Sequence, residues 1–259
     1  MAAARLAEIA AFAETLADAA GEVVRRYFRR PLAIAYKEGM SPVTEADRAV
    51  EARLRELIAA RYPRHGVVGE ELADERADAD EVWVIDPIDG TRLFINGIPM
   101  FGTLIAFVRA GAPLLGVIDQ PITGERWIGG DGVPTTLNRA PVRCRACESL
   151  CDAVLITSSP HYYDGENLAA LDRLRDVVNW THYGTDCYGF GLIAGGFADL
   201  GIENGVAPHD FCALAPVIEN AGGVMTDWEG APLRLDSGPR VLAAGDRRAH
   251  ALALERIAG

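Results

Sequence analysis

Asp86 and Asp89 stand three residues apart in the stretch Trp83-Val84-Ile85-Asp86-Pro87-Ile88-Asp89-Gly90-Thr91. The apolar Trp83, Val84 and Ile85 read as the end of a buried strand. Pro87 fixes φ and lacks an N–H, so it is expected to stop that strand in a stiff turn. Open α/β sheets keep their ligands beyond the carboxyl ends of their strands, where these two carboxylates fall. Carboxylate oxygens suit hard divalent cations. A helix beginning near Thr91 would aim the Gly90 and Thr91 amides into the same space, where they can hold a phosphate. Metal and phosphate on one turn point to phosphoryl chemistry. The competing reading is a solvated turn, because Asp, Pro and Gly are ordinary turn residues.

Other acids stand in similar places. Glu70 and Glu71 follow Gly66-Val67-Val68-Gly69, a short strand, and an acidic loop comes after them. Asp47 lies three residues after Thr44 at the start of a helix, the spacing of a capping box. Asp210 precedes a helix expected over residues 210–221, where an N-cap role would account for it. Pro216 should kink that helix or delay its start. Glu203 ends a strand expected over residues 199–203. Each acid has a local explanation. Glu70, Asp86, Asp89 and Asp210, all at strand ends or helix starts beside a phosphate-type turn, are harder to explain separately.

The composition bounds the partners. With 259 residues, 49% of them apolar and 24% charged, the chain has an ordinary globular makeup. A net charge of −12 argues against a basic face for nucleic acid or anionic lipid. Five cysteines, an odd number, fit a reducing compartment. Cys144, Cys147 and Cys151 cluster without a fourth ligand at zinc spacing, and they read as small filler residues. No signal-peptide pattern opens the chain, and no apolar run reaches the roughly 18 residues of a membrane span. A cytoplasmic protein that contacts neither membrane nor nucleic acid is expected.

The positioning elements follow from periodicity. Leu6, Ile9, Ala13, Leu16, Ala20, Val23 and Tyr27 form one helical stripe that ends at Pro31. A strand over residues 33–37 precedes a helix opened by Ser41-Pro42-Val43-Thr44, with Val50, Leu54, Leu57 and Ile58 as its apolar face. Residues 101–108 and 114–118 flank a Gly-Ala-Pro turn as a hairpin. Residues 125–128 add a strand, and 133–145 are irregular or short strands. From about residue 150 the pattern alternates. Strands are expected at 153–157, 199–203, 224–226 and 241–244, and helices at 166–178, 187–195 (small and Gly-rich), 210–221 and from Arg248. Such alternation argues for a layered α/β second half.

With Gly69-Glu70-Glu71, the nine-residue central motif, and His209-Asp210 before Ala221-Gly222-Gly223, the chain resembles the inositol-monophosphatase superfamily of metal-dependent phosphatases. Order and spacing match over nearly the whole chain. Within it, the histidinol-phosphate phosphatase branch is most similar, through Ser41-Pro42-Val43-Thr44-Glu45-Ala46-Asp47, Pro99-Met100-Phe101-Gly102-Thr103, Gly116-Val117-Ile118-Asp119-Gln120-Pro121, Asp186-Cys187-Tyr188-Gly189 and Met225-Thr226-Asp227-Trp228. His209 and Ala207-Pro208 are local departures from that pattern.

The resemblance implies an α/β fold, a layered αβαβα sandwich of the inositol monophosphatase and fructose-1,6-bisphosphatase type. An α+β unit (1–145) would carry most metal ligands, and a smaller α/β unit (146–259) would carry Asp210 and the specificity residues. It implies that Glu70, Asp86 and the Ile88 carbonyl hold one Mg²⁺, and that Asp86, Asp89 and Asp210 hold a second. Asp47 and Glu70 would help place a third, weaker ion or its waters. Thr91 with Asp47 would orient and deprotonate the attacking water, and the Gly90 and Thr91 amides would hold the phosphate. Asp186 and Glu203 are the candidates for the alcohol half of the substrate. The expected reaction is hydrolysis of L-histidinol phosphate in histidine synthesis. A broader inositol-type monophosphatase is the alternative, and a silent metal-binding regulatory protein the reading from another class. A homodimer is also implied by the resemblance.

Overall fold

The computed structural model describes residues 3–36 and 42–259. The branch-like Ser41 and the last residue of the first expected strand, Lys37, lie outside them. The chain begins with α1 (Ala3–Tyr27), then β1 (Ile34–Tyr36) paired antiparallel with β2 (Pro42–Thr44), and α2 (Glu45–Arg61). A seven-stranded sheet follows, built in sequence order from β3 (Gly66–Gly69), β4 (Glu81–Asp89), β5 (Gly102–Arg109), β6 (Ala112–Gln120), β7 (Glu125–Gly130), β8 (Val133–Leu137) and β9 (Ala140–Pro141). The short α3 (Thr91–Ile95) interrupts it after β4.

The second part comprises β10 (Val154–Thr157), α4 (Gly165–Arg175), β11 (Trp180–Tyr183), α5 (Asp186–Ala194), β12 (Leu200–Asn204), α6 (Pro208–Phe211), α7 (Leu214–Asn220), β13 (Val224–Asp227), β14 (Arg240–Ala244) and α8 (Arg247–Ala258). Its five strands lie in the order β11-β10-β12-β14-β13. β10 is parallel to both its neighbours, whereas β14 is antiparallel to β12 and β13.

Strand alternation builds the layers, because successive side chains face opposite sides of a sheet. In β4, Trp83 and Ile85 pack with α1 and α2 through Leu16, Val24, Val50 and Leu54, while Val82 and Val84 face the other way. There they join Phe190 and Ile193 of α5, Val217 and Ile218 of α7, and Val154, Ile156, Val241 and Ala243 of the second sheet. The far face of that sheet buries Leu155, Leu200, Ile202 and Leu242 under Leu171 of α4 and Ala253 and Ile257 of α8. The order is helices, sheet, helices, sheet, helices: the αβαβα sandwich.

The central helix layer is squeezed between two sheets, which explains why α5 is glycine-rich. A Cβ on Gly191 would lie 2.9 Å from the Trp127 ring, and one on Gly189 would lie 2.6 Å from Ile156 Cδ1. Gly116 of β6 is tighter still, since its Cβ would sit 1.9 Å from the Ala213 carbonyl between α6 and α7. That contact seats the segment bearing Asp210 against the first sheet.

Some local expectations are corrected. β4 does not stop at Pro87 but runs on to Asp89, with its register against β5 shifting between Asp86 and Asp89. Pro87 falls inside that irregularity, where no ladder donor is required, and its carbonyl accepts a 2.8 Å bond from Thr103 Oγ1. The hairpin turn is Ala110-Gly111, and Ala112 and Pro113 already belong to β6. The helix expected over residues 210–221 is two helices, α6 and α7. Pro216 lies in the first turn of α7, where its missing N–H would have had no intrahelical acceptor. The edge strand β11 is largely exposed and so carries no apolar alternation that would mark it in the sequence.

Candidate active site

Asp86 lies within β4, 1% exposed, and its Oδ1 accepts a 3.0 Å bond from the Ile88 N–H across the bulge. Asp89 closes the same strand. Its Oδ2 accepts a 2.6 Å bond from the Cys187 N–H at the start of α5, so the first residues of the middle helix layer hold this carboxylate in place. Asp210 arrives from more than a hundred residues later. It is not the N-cap of its helix but sits in the first turn of α6, with Oδ2 accepting a 2.7 Å bond from the Ala207 N–H. Oxygens of Asp86, Asp89 and Asp210 lie within 4.8 Å of one another, the one group of three or more acids, histidines or cysteines among the described residues that could hold a metal ion.

Burial, and after it the repulsion of neighbouring acids with Asp210 common to both, push the carboxyls of Asp86 and Asp89 well above the usual range. Glu70 also acts on Asp86, as does Asp186 on Asp89. Asp210 is raised as well, chiefly by burial and against the opposing influence of His209. Among the described residues no Lys or Arg forms an ion pair with any of the three; Asp210 has only His209, 3.7 Å away. Crowded oxygen donors, one buried and two partly exposed to the cavity and without a balancing Lys or Arg, are a donor set suited to a hard divalent ion.

Glu70 follows β3 and lines the cavity beside this group, close enough to share a hydrogen bond with Asp86. Gly90 is the N-cap of α3 at φ 83°, a left-handed conformation suited to glycine. A Cβ there would also meet Asp186 Oδ2 at 2.7 Å. Thr91 is the first residue of α3, and its Oγ1 lies 3.1 Å from the Ile88 carbonyl and 3.4 Å from Asp47 Oδ1.

Asp47 is fully buried, and the expected capping box is present: its Oδ2 accepts from the Thr44 N–H and hydroxyl at 2.8 and 2.6 Å. Burial raises its carboxyl, and Glu70 adds to the shift.

Asp186 opens α5 at φ 41°, strained backbone for a residue with a side chain. Glu203 lies in β12, where its Oε1 accepts from the Ser158 N–H at 2.6 Å and from the Ser158 hydroxyl at 2.8 Å. Ser158 also faces Asp186 and lowers its carboxyl against the larger rise that burial gives it. Burial pushes the Glu203 carboxyl up to about 8.

Glu70, Asp86, Ile88, Asp89, Gly90, Thr91, Asp186, Glu203 and Asp210 all line one cavity of about 450 Å³. Asp47 stands behind it and communicates through Thr91.

Residues 5–258 match the model of the inositol monophosphatase family. This chain belongs to that family. Among its relatives, the bifunctional phosphatase IMPL2, chloroplastic, of Arabidopsis thaliana is 47% identical over 261 residues, covering 97% of this chain and 75% of that protein. A histidinol-phosphatase of Chlorobaculum parvum is 37% identical over 223 residues, covering 85% of this chain and 86% of that one. The solved structure of an inositol monophosphatase from Zymomonas mobilis matches with a TM-score of 0.90 at 42% identity, covering 97% and 98% of the two chains. The protein is thus a phosphatase of the inositol monophosphatase family, and among the described residues no helix is long and apolar enough to cross a membrane.

Sequence reasoning missed Ser158, Arg92, Tyr162 and the Cys187 amide. Ser158 was within reach of the rule applied to Asp86, since it directly follows the strand ending at Thr157. Nothing local distinguishes Tyr162 from a surface tyrosine.

Proposed function

We propose that this phosphatase hydrolyses L-histidinol phosphate to L-histidinol and inorganic phosphate, with Mg²⁺ as its metal. Asp86, Asp89 and Asp210, with Glu70 and the Ile88 carbonyl, would hold two ions, and Asp47 and Glu70 would help place a third. Bound there, Mg²⁺ would supply charge neutralisation at the phosphate and a lowered pKa for water.

The chain's own groups do the positioning, which is most of what phosphoryl transfer needs. The Gly90 and Thr91 amides hold the phosphate at the start of α3. Thr91 Oγ1 accepts a hydrogen bond from the attacking water and passes its own proton toward Asp47 Oδ1. Burial favours protonation of that carboxylate. The bond from phosphorus to the alcohol oxygen breaks on the side opposite the incoming oxygen, and the departing alkoxide takes up a proton from solvent.

The observation that carries the substrate is the acidic wall formed by Asp186 and Glu203 around Ser158. Burial, with Asp186 and Asp89 nearby, pushes the Glu203 carboxyl up to about 8, so a cation bound beside it would be stabilised. The ammonium and imidazole of histidinol supply that cation through charge-assisted hydrogen bonds. The histidinol-phosphatase relative supports the same assignment.

A second reading, inositol phosphate, draws on the same Ser158 and Glu203 as partners for hydroxyls and on the similarity to the Zymomonas mobilis enzyme. A panel of small phosphate monoesters, assayed for phosphate release with and without Mg²⁺, tests the proposal. L-Histidinol phosphate should be the preferred substrate and turnover should require the ion. Equal or faster hydrolysis of inositol phosphate defeats the assignment. The same proposal includes a cytoplasmic homodimer, which light scattering of the purified protein would check for its oligomeric part.

A further inference from the structure

The rim of the cavity carries a contact that the reaction as described does not use. Arg92, the second residue of α3, donates from Nη1 to the Tyr162 hydroxyl at 2.6 Å, and its guanidinium carbon lies 5.3 Å from the centre of the Tyr162 ring. Tyr162 ends the 3-10 turn Pro160–Tyr162 that follows β10, so the contact joins the part of the molecule bearing Asp89 to the part bearing Glu203. The tyrosine is itself held, since its carbonyl accepts a 2.9 Å bond from Asn204 Nδ2, next to Glu203. Both side chains line the cavity, and Tyr162 is 43% exposed.

Arg92 is the one Arg or Lys among the described residues lining this cavity. Its charge is already felt by Asp186. A guanidinium free to turn would find in Asp186 a planar, bidentate acceptor. The tyrosine hydroxyl and ring instead offer it a hydrogen bond and a cation–π contact at the rim.

We propose that Tyr162 is a specificity-determining residue: through its hydroxyl it holds Arg92 off Asp186, leaving the Asp186–Glu203 wall available to a cationic alcohol. The inference rests on the proposed histidinol phosphate reading. Without the tether, Arg92 takes the place the substrate's ammonium would occupy. A neutral polyol, bound through Ser158 and Glu203, does not draw on Asp186 and is indifferent to the change. Tyr162 acts through Arg92 and Asp186 and touches none of the reacting atoms.

The test compares the full-length wild type, Tyr162→Phe, and Tyr162→Phe combined with Arg92→Gln, each in saturating Mg²⁺ and each checked for an unchanged melting temperature. KM and kcat are measured on L-histidinol phosphate and on inositol 1-phosphate, and the inhibition constant of L-histidinol is measured against p-nitrophenyl phosphate hydrolysis. Tyr162→Phe should raise KM for histidinol phosphate and the L-histidinol inhibition constant about tenfold, the scale of one charged hydrogen bond. Its kcat, and its KM for inositol phosphate, should stay within about twofold, and removing Arg92 in the same background should restore binding of the cation. Equal effects on both substrates, no effect, or failure of Arg92→Gln to rescue would overturn the inference. A wild type that prefers inositol phosphate, yet whose L-histidinol inhibition weakens only when the tether is cut, defeats the substrate assignment and upholds the tether.

Discussion

Thr91 Oγ1 lies 3.4 Å from Asp47 Oδ1, while the other oxygen of the same carboxylate is taken up by Thr44. One buried side chain therefore caps α2 and faces the hydroxyl at the start of α3. The capping bonds fix the carboxylate's orientation, and that orientation makes Oδ1 available to Thr91.

The two roles separate by mutation. Asp47→Asn should cost about 1–2 kcal/mol of stability through the weakened cap and, independently, lower kcat by about 10²-fold through loss of the proton acceptor. Thr91→Ala should lower kcat to a similar extent with little change in stability. Thr91→Ser should retain most activity. The double variant Asp47→Asn/Thr91→Ala should be no slower than the worse single one, because the residues act as a unit. Steady-state kinetics and urea unfolding measure both quantities. Additive losses in kcat would show that the pair does not work together.

Asp89→Asn keeps the shape of the side chain and its bond from the Cys187 amide but removes one anionic donor from the trio with Asp86 and Asp210. Phosphate release should fall by about 10²–10³-fold or more. The circular dichroism spectrum should be unchanged, and the metal-free protein should melt no lower than wild type, since a repulsive charge has gone. Turnover at the wild-type rate contradicts the metal-site assignment.

Gly90→Ala tests the turn. The residue sits at φ 83°, and the added methyl would meet Asp186 Oδ2. The left-handed backbone alone costs about 1–2 kcal/mol. The displaced Asp186 should also raise KM for a cationic substrate more than for p-nitrophenyl phosphate. Both effects are read from thermal melts and paired kinetics.

The buried acids set the pH dependence of the metal-free protein. Glu203 rises from its ordinary 4.5 to about 8, and Asp86, Asp89 and Asp210 are raised too. Between those values the folded state binds protons that the unfolded state has lost, so stability falls as pH rises. The melting temperature in EDTA should decline from about pH 5 to about pH 8. Glu203→Gln should flatten part of that decline, and Mg²⁺ should counter most of the remainder by binding the ionised trio. A melting temperature that climbs steadily over this range in EDTA would contradict these shifts.

The sequence by itself determined what local chemistry can encode. The apolar run into Asp86-Pro87-Ile88-Asp89-Gly90-Thr91 marks a strand end whatever surrounds it. Thr44 and Asp47 form a cap because the helix start places them within reach, and Leu6, Ile9, Ala13 and Leu16 share a face because the helical period requires it. Family resemblance extended that reading to Asp210 and to the five layers.

Tertiary structure alone decided that β4 carries Pro87 through a bulge, since β5 supplied the Thr103 hydroxyl that anchors it. It likewise decided that Asp47 serves Thr91 as well as Thr44, that the Cys187 amide holds Asp89, and that Arg92 meets Tyr162. These contacts span 44, 98 and 70 residues of chain. Their partners carry no shared local pattern, and they meet because two sheets twist and stack over a glycine-thinned helix layer. Periodicity names the faces that must be buried, and only the packing of those faces settles which distant side chains come to share a cavity.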